Sequence, residues 1–419
     1  MKKILILGGG ISGLITAEKL LNKGFEVIII EQDSVLGGLA SSFEYQGKLI
    51  PKTYHHVLYH ENLFQDLIKQ YGFEKKLKWN DSEMCFWFNN IPYKLTKPLD
   101  ILFFKPLDFV SKLRFVKLGI ISVLKKNWSD LKTKTATEWL DQVVGKKVRR
   151  ELFEPLAKIK FGALSSVSAA WLGARLHEAA LNKEKYAYLK GGLQPLIDKL
   201  GENIKRKKGQ IFLNATVEKI VGTKVHVRIN KKIKVFESDK IVSSLPPPVL
   251  TSVSNLSPDI KTKLNQIKYQ PLVCLVCGSK QLLTKYYWNV LIEPEYSFGG
   301  VFHHTALYPE GGINGEYLYY FFKYLDNKDS FYNKSDVEIK NIFLNDIKKI
   351  KPDFEFSWTK IFKIKYSSPI FSFDYKNLPI KLTDDIYLTG VYKEYPSTRT
   401  MNSAVKSGLK TANIILNEK

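Results

Sequence analysis

Residues 4–43 read ILILGGGISGLITAEKLLNKGFEVIIIEQDSVLGGLASSF, and this stretch decides the fold of the chain. It begins with an apolar strand, passes through three consecutive glycines into an amphipathic pattern over residues 12–23, and ends in a second apolar strand at residues 26–30. Gly24 stands where a helix would end, because glycine readily adopts the left-handed backbone of a C-cap. A strand, a tight turn, a helix and a second strand within about thirty residues predict a right-handed parallel βαβ unit.

The first glycine cluster has the spacing Gly8-x-Gly10-x-x-Gly13 and lies between the predicted strand and helix. Gly8 allows the tight turn, Gly10 lets the backbone approach a pyrophosphate, and Gly13 lets the helix pack closely on the strand. The helix N-terminus carries a partial positive charge that suits a diphosphate. Glu31, at the end of the second strand, can bind ribose hydroxyls. The motif therefore predicts a dinucleotide site and leaves NAD and FAD both open.

A second glycine pair, Gly37 and Gly38, lies just beyond Glu31. The fingerprint of a nicotinamide dinucleotide site does not require glycines at this point. They fit a longer dinucleotide whose second half runs past this loop, which favours FAD. An ordinary surface turn is the alternative interpretation.

Four separated stretches resemble one known family. They are residues 8–50, residues 135–162 (TATEWLDQVVGKKVRRELFEPLAKIKFG), residues 188–220 (YLKGGLQPLIDKLGENIKRKKGQIFLNATVEKI) and residues 384–416, with DDIYLTG and TMNSAVKSGLKTANIIL. In this order they resemble the FAD-dependent amine oxidase superfamily, especially its branch similar to protoporphyrinogen oxidase and phytoene desaturase. The resemblance implies an α/β fold, in which a Rossmann-like FAD-binding domain carries an inserted α+β domain of mixed sheet and helices.

The resemblance also implies a discontinuous domain organisation. Residues 1–75, 190–255 and 380–419 are expected to form the FAD-binding domain, and residues 76–189 with 256–379 the substrate-binding domain. Between the glycine loops and the closing strand, the pattern predicts mainly helical and irregular structure over residues 62–190 and aromatic strands over residues 262–380.

The cofactor contacts follow from the same resemblance. Val217 would lie near the adenine, Gly390 near the phosphates, and the helix that begins near Met401 would point its N-terminus at the flavin pyrimidine. N–H groups there suit the anionic charge that develops on a reduced flavin. Val391 stands where family members usually carry an acid, so Gly390 is expected to make a backbone contact only. The residues expected to contact FAD are Gly8, Gly10, Ile11, Ser12, Gly13, Glu31, Gln32, Gly37, Gly38, Leu39, Ala40, Val217, Gly390, Thr400, Met401 and Ala404.

Candidate residues for the reaction itself are few. His55 and His56 follow the second glycine loop and are expected either to line the site or to be packing or surface histidines; the same alternatives hold for His304. Tyr392 and Arg399 are similar to residues that hold a sugar-nucleotide diphosphate in UDP-galactopyranose mutase, a related flavoenzyme. No obligatory acid or base is indicated.

Other polar residues favour structural roles. Adjacent histidines on a regular strand cannot face one metal ion, and no metal site is predicted. Cys274 and Cys277 lie three positions apart in an apolar strand, where their side chains point to opposite faces, so both are expected in the core. Three cysteines in 419 residues indicate a reducing compartment, and no run of 18 uncharged apolar residues is present. The expected location is cytoplasmic.

The net charge of +23 comes mainly from lysines spread along the chain. Nucleic acid is not an expected partner, because such binding clusters basic residues on one element. Compositional drift and contact with an anionic membrane surface are the two alternatives. Residues 97–128 mix Phe and Leu clusters with Lys and Arg, which fits a helix lying at the inner face of a membrane with Lys and Trp at its rim. A core helix or a dimer interface is the alternative there.

Together these features predict an FAD-dependent oxidoreductase that moves a hydride between flavin and an apolar or lipid-linked small-molecule substrate. A non-redox flavoenzyme acting on a sugar nucleotide, similar to UDP-galactopyranose mutase, is the alternative. A flavin-binding protein without catalytic activity is the third hypothesis.

Overall fold

The computed structural model of the protein describes residues 2–181, 185–291 and 296–418. In chain order, the strands are β1 (Lys3–Leu7), β2 (Glu26–Ile30), β3 (Ser42–Tyr45), β4 (Lys48–Pro51), β5 (Val57–Leu58), β6 (Leu77–Asp81), β7 (Met84–Phe88), β8 (Ile91–Lys94), β9 (Lys185–Leu189), β10 (Gln210–Phe212), β11 (Ala215–Val221), β12 (Lys224–Ile229), β13 (Lys232–Glu237), β14 (Lys240–Ser243), β15 (Tyr269–Ser279), β16 (Trp288–Leu291), β17 (Gly300–His303), β18 (Tyr317–Tyr324), β19 (Trp358–Pro369) and β20 (Ile386–Leu388).

The α-helices alternate with these strands in the first half of the chain and close it at the end. They are α1 (Ile11–Leu21), α2 (Asn62–Gln70), α3 (Phe109–Leu124), α4 (Ala136–Val143), α5 (Gly145–Val148), α6 (Glu154–Lys160), α7 (Ala169–Leu181), α8 (Gln194–Arg206), α9 (Pro247–Val253), α10 (Pro258–Asn265), α11 (His304–Leu307), α12 (Asp336–Ile350) and α13 (Met401–Asn417).

A five-stranded parallel sheet of order β10-β2-β1-β14-β20 organises the cofactor half of the molecule. Its strands come from both ends and the middle of the chain, as the sequence pattern predicts. Successive residues of a strand point to opposite faces. Ile4 and Ile6 of β1 therefore pack towards the helices, while Leu5 and Leu7 pack towards the small sheet of β11, β12 and β13. This layered arrangement confirms the α/β fold with a Rossmann-like core.

Helices α1 and α13 pack together because both carry small residues where they meet. A Cβ on Gly408 would lie 2.6 Å from the carbonyl oxygen of Ser12, so glycine alone permits this approach. The hydroxyl of Thr16 donates to the carbonyls of both Ser12 and Gly408. This close packing holds the N-terminus of α13 beside the glycine loops.

A seven-stranded mixed sheet of order β19-β15-β18-β17-β16-β7-β8 forms the second half of the molecule. Strand β15, which lies between β19 and β18, is fully buried. Cys274 belongs to the core on one face of this sheet and Cys277 to the core on the other, which α12 covers. Both thiols are free and buried, so the prediction that they are core cysteines is confirmed.

Residues 62–190 are mainly helical and irregular, as expected, but they also contain short strands that the sequence pattern did not predict. Strands β6, β7 and β8 occupy residues 77–94, and their short runs, separated by turn residues, carry too weak a period to be recognised. Helix α12 was also missed among the aromatic strands, although Ser335 and Glu338 form a capping box at its start. Strand β9 pairs with both β5 and β6, which lie on either side of residue 75. The division into domains stays a prediction.

Residues 97–128 form a 3₁₀ turn (Pro98–Phe103) followed by helix α3. Trp128 is buried and packs against Gly173, where an added Cβ would lie 2.2 Å from its ring. The expectation of a rim position for Trp128 is therefore wrong, because the tight approach of Gly173 makes it a core residue. None of the helices within the described ranges is long and apolar enough to cross a membrane.

Candidate cofactor and active site

The three glycines of the first cluster have different environments. Gly8 adopts a φ of +100°, and its carbonyl accepts a hydrogen bond from the hydroxyl of Ser244. A Cβ on Gly13 would lie 2.3 Å from the carbonyl oxygen of Gly8, so Gly13 is needed for the helix to pack on the turn. Gly10 has an ordinary φ of −72°, and a Cβ there would meet no atom within 4 Å. The space beside Gly10 is open.

The second glycine pair lies directly against the first cluster. The N–H of Gly37 donates to the carbonyl of Gly9 at 2.9 Å, and Gly10 and Gly37 form a parallel backbone bridge. A Cβ on Gly38 would lie 3.6 Å from the Cα of Gly10. Gly37 itself has a φ of +115°, which an L side chain rarely adopts. The two clusters therefore form one backbone surface, a feature that linear spacing did not reveal.

Glu31 connects the first glycine loop to the turn that follows β2. Its Oε2 accepts the N–H of Gly9 at 2.6 Å, and its Oε1 accepts the N–H of Asp33 at 2.8 Å. Burial raises the pKa of Glu31, and the backbone hydrogen bonds work in the opposite direction. Because each carboxylate oxygen has two lone pairs, Glu31 retains acceptor capacity for ribose hydroxyls. Its contact with the ribose stays a prediction.

The N-terminus of α1 suits a diphosphate. Among the described residues, no side chain caps the helix at Gly10, and its first turn contains no acidic residue. The N–H groups of Ile11 and Ser12 belong to this first turn, where backbone donors have no partner within the helix. Open space at Gly10 and uncapped N–H groups are the two conditions that a pyrophosphate needs. The chain therefore fits the phosphates of a dinucleotide.

The closing part of the chain also combines a positive-φ glycine with a helix, α13, but here side chains cap the helix N-terminus. Gly390 adopts a φ of +137°, and its N–H donates to the hydroxyl of Ser407 on α13 at 2.9 Å. The side chain of Thr400 caps α13 by accepting the N–H of Ser403. Glu61, which is completely buried, accepts the N–H of Asn402 at 3.3 Å. Burial raises the pKa of Glu61.

Glu61 was not recognised in the sequence as a site residue. It comes just before α2, far from the closing helix in sequence, and no local motif indicates that its carboxyl group meets the N-terminus of α13. Only the tertiary packing of α2 beside α13 brings the two together.

A cavity of about 200 Å³ opens between the N-terminus of α13 and the mixed sheet. Its wall includes several of the residues predicted from sequence, namely Leu39, His55, His56, Arg399, Thr400 and Met401. Residues that the sequence did not single out complete it, notably Tyr54, Glu61, Tyr324, Ser367 and Ser368. We expect the flavin ring and the substrate to meet in this cavity.

The two adjacent histidines have different partners. The Nε2 of His55 lies 2.8 Å from the carbonyl oxygen of Leu39 and thereby ties the second glycine loop to the cavity wall. The Nδ1 of His56 lies 2.8 Å from the hydroxyl of Tyr287. Burial, helped by the nearby charge of Lys160, lowers the pKa of His56 to about 3. His56 is therefore neutral near pH 7.

Other predicted residues lie elsewhere. His304 lines a separate pocket of about 300 Å³ with Tyr188 and Tyr308. Tyr392 is buried in the core beneath the parallel sheet, so it does not share a site with Arg399. Val217 lies opposite Val227 on a neighbouring strand. Among the other predicted FAD contacts, Gln32 is exposed, whereas Ala40 and Ala404 are buried.

The fold and the glycine surface together define a dinucleotide-binding protein of the Rossmann type. Comparison with known proteins makes the class more specific. The chain belongs to the family of flavin-containing amine oxidoreductases, which it matches over residues 11–416. Its cofactor is accordingly FAD, in agreement with the fit of the α1 N-terminus to a diphosphate.

Individual relatives are more distant. The chain is 27% identical over 255 residues to the 15-cis-phytoene desaturase of Capsicum annuum, a match that covers 52% of this chain and 41% of that protein. The matched part is thus less than half of the desaturase.

Solved structures share the fold at low identity. A protein from Exiguobacterium sp. 255-15, proposed to be a protoporphyrinogen oxidase, has a TM-score of 0.79 at 18% identity, with 100% of this chain and 99% of that chain covered. Reduced UDP-galactopyranose mutase has a TM-score of 0.77 at 14% identity, with 100% and 96% covered. These likenesses show a common architecture.

The environment of Gly10 predicts that stability and cofactor binding can be separated. Gly10→Ala should leave the thermal stability of the apoprotein unchanged, because the added Cβ enters open space. The same Cβ should weaken FAD binding at least tenfold, a loss of about 1.4 kcal/mol in binding free energy, because it occupies the path of the pyrophosphate. Titration of apoprotein with FAD and thermal denaturation measure the two effects. Gly13→Ala is the contrasting variant and should lower both, since its Cβ clashes with backbone. Unweakened FAD binding in Gly10→Ala would contradict this assignment.

The lowered pKa of His56 predicts a dependence of stability on pH. In the unfolded chain, His56 titrates near its ordinary pKa of about 6.5, whereas in the folded protein it stays neutral. Its contribution to the free energy of unfolding is therefore present above pH 6.5 and is lost as the pH falls towards 3. Between pH 7.5 and 5.0 this loss amounts to about 2 kcal/mol. In urea denaturation at both pH values, His56→Gln should lose that much less stability than the wild type. Equal losses in both proteins would show that His56 titrates normally.

Proposed function

We propose that the protein is an FAD-dependent oxidoreductase that transfers a hydride between flavin and an apolar or lipid-linked substrate. The observation that carries this proposal is the cavity, which joins the N-terminus of α13 to a wall of aromatic and aliphatic side chains. Flavin supplies the redox chemistry when it is bound, so the protein needs to orient the substrate and exclude water.

The cavity wall supports these two tasks. Tyr54 stacks on Phe302 with ring centroids 3.9 Å apart, and its hydroxyl lies 3.0 Å from that of Tyr324. Leu272 and Ile364 add aliphatic surface. At the opposite side, the partial positive charge of the α13 N-terminus would face the flavin pyrimidine, where it favours negative charge. These aromatic and aliphatic side chains would contact the apolar part of a substrate held over the flavin.

The mutase alternative has less support in the arrangement of the residues. A diphosphate clamp would need Tyr392 and Arg399 in one site, whereas Tyr392 lies in the core and Arg399 lies in the cavity wall. The structural likeness to UDP-galactopyranose mutase concerns the fold. We therefore favour hydride transfer.

We further propose that residues 99–124 contact an anionic membrane surface from the inner, cytoplasmic side. Phe103, Phe109 and Leu124 are 80, 69 and 73% exposed, which is unusual for such large apolar side chains. Further exposed apolar residues in this apolar patch are Leu99, Leu102, Val110, Leu113, Ile120 and Val123. Lys105, Lys117 and Lys126 are exposed around them. An apolar surface with lysines beside it is typical of helices that lie in a membrane interface.

The oxidoreductase is tested by anaerobic absorbance spectroscopy of the FAD-loaded protein. A membrane lipid extract should bleach the oxidised flavin, or restore the absorbance of dithionite-reduced flavin, because a substrate of the proposed class exchanges a hydride with it. The outcome that would overturn the proposal is an extract that changes neither spectrum, together with a reduced protein that interconverts the pyranose and furanose forms of UDP-galactose.

Membrane contact is tested by co-sedimentation with vesicles of phosphatidylglycerol and phosphatidylcholine. The pair Phe103→Ser and Phe109→Ser should reduce binding at least tenfold, because burying a Phe side chain contributes about 1.5–3 kcal/mol. Val337→Ser removes an exposed apolar side chain from α12 and is the control, with expected binding equal to the wild type. If the double variant and the control bind equally, the apolar patch does not contact the membrane.

A further inference from the structure

Glu61 is the one carboxyl group in the wall of the cavity within the described part of the chain. It is completely buried at the start of α2, and both of its carboxylate oxygens accept backbone hydrogen bonds. Oε2 accepts the N–H of Leu58 at 2.8 Å, and Oε1 accepts the N–H of Asn402 at 3.3 Å. The side chain of Thr400 is a third partner. These donors offset part of the cost of burying a carboxylate.

The contact between Glu61 and α13 is one half of a reciprocal pair. The side-chain oxygen of Asn402 accepts the N–H of Phe64 in the first turn of α2 at 3.2 Å, while Glu61 accepts the N–H of Asn402 in the first turn of α13. A structural cap is therefore one role of Glu61. A neutral Asn, Ser or Thr would also cap a helix, so capping alone does not require a carboxyl group in the cavity.

The other titratable side chains of the cavity wall are two histidines, two tyrosines and one arginine, namely His55, His56, Tyr54, Tyr324 and Arg399. Burial lowers the pKa of both histidines and raises the pKa of both tyrosines, so these four side chains are neutral near pH 7. Burial lowers the pKa of the arginine to about 10, which leaves it cationic.

The elements around Glu61 add no second acid to the cavity among the residues that the structure describes. The first turns of α2 and α13 contain no acidic residue. His60, which precedes Glu61, lies 3.6 Å from Glu178, and its charge favours the carboxylate form of Glu61. Negative charge at this end of the cavity therefore comes from Glu61.

The N-terminus of α13 is also where the flavin pyrimidine is expected. The partial positive charge of a helix N-terminus favours the negative charge that flavin gains on reduction. A carboxylate that accepts the N–H of Asn402 offsets this partial charge and repels a second anion. When two anionic groups share one site, the protonated form of one of them is favoured. Glu61 and the reduced flavin would therefore compete for one helix end.

We propose that Glu61 sets the reduction potential of the bound FAD: as a carboxylate it lowers the potential, and it takes up one proton when the flavin is reduced. The proposal rests on the proposed function, in which a hydride from the substrate supplies two electrons and one proton to the flavin. The additional proton comes from water and forms an O–H bond on a carboxyl oxygen of Glu61. No bond between Glu61 and the substrate or the cofactor forms or breaks.

The test measures the two-electron reduction potential of the FAD-loaded protein from pH 5.0 to 8.5, with dithionite and reference dyes. At pH 8.5, Glu61→Gln should raise the potential by at least about 30 mV, a tenfold change in the equilibrium constant of a two-electron couple. The difference from the wild type should shrink as the pH falls, because burial raises the pKa of Glu61 and its carboxyl group is then neutral as well. A difference that is absent, or equal at every pH, would assign Glu61 to the fold and overturn the proposal.

Asp346→Asn is the matched control. Asp346 is a buried acid on α12, which covers the face of the mixed sheet opposite to the cavity, and its Oδ2 accepts the N–H of Ser297 at 2.6 Å. The amide removes the same charge from a buried position outside the cavity, so the potential should equal that of the wild type at every pH. A shift as large as that of Glu61→Gln would show a general effect of buried charge and contradict the assignment to Glu61.

Infrared difference spectroscopy observes the proton directly. Within the same pH series, reduction should produce the carbonyl band of a protonated carboxyl group in the wild type and in Glu61→Asp, which keeps the carboxyl group, but not in Glu61→Gln. The wild type alone gives the negative result, so the test does not depend on the folding of a variant. A wild type that lacks this band on reduction at every pH would overturn the proposal.

The proposed hydride transfer is tested separately, because dithionite reduces the flavin without substrate. If the potentials and the infrared band behave as expected but lipid extracts leave the flavin spectrum unchanged, the role of Glu61 stands and the proposed substrate class fails. If lipid extracts change the spectrum but Glu61→Gln has the potential of the wild type, the role of Glu61 fails and the proposed function stands.

Discussion

The hydrogen bond from the N–H of Gly37 to the carbonyl of Gly9 holds together the two loops on which the rest of the site depends. It places Gly38 against Gly10 and forms one side-chain-free surface at the start of α1. Glu31 strengthens the arrangement by accepting the N–H of Gly9. Any side chain at these glycines would either separate the loops or fill the space that a pyrophosphate needs.

The closing helix depends on the same region. Gly408 lets α13 approach Ser12 of α1, and this packing sets the position of the α13 N-terminus relative to the phosphate-binding loop. We expect the two helix N-termini to face different parts of one extended cofactor. The mixed sheet then contributes the opposite wall of the cavity, with Tyr54 and Arg399 facing the space between.

Sequence reasoning predicted the βαβ unit, the parallel sheet, the core cysteines and the use of FAD, because each has a local signature in glycine spacing or hydrophobic period. It missed the strands at residues 77–94 and helix α12, whose patterns are short or are masked by neighbouring aromatic residues. Glu61 was also missed, because its contact with the N-terminus of α13 joins residues far apart in sequence, which no local motif records.

A crystal structure of the FAD-loaded protein would locate the cofactor directly. We expect the pyrophosphate within about 3 Å of the N–H groups of Ile11 and Ser12, close to Gly10, with the flavin ring between the N-terminus of α13 and Tyr54. A pyrophosphate bound elsewhere, or a flavin ring outside this cavity, would contradict this expectation.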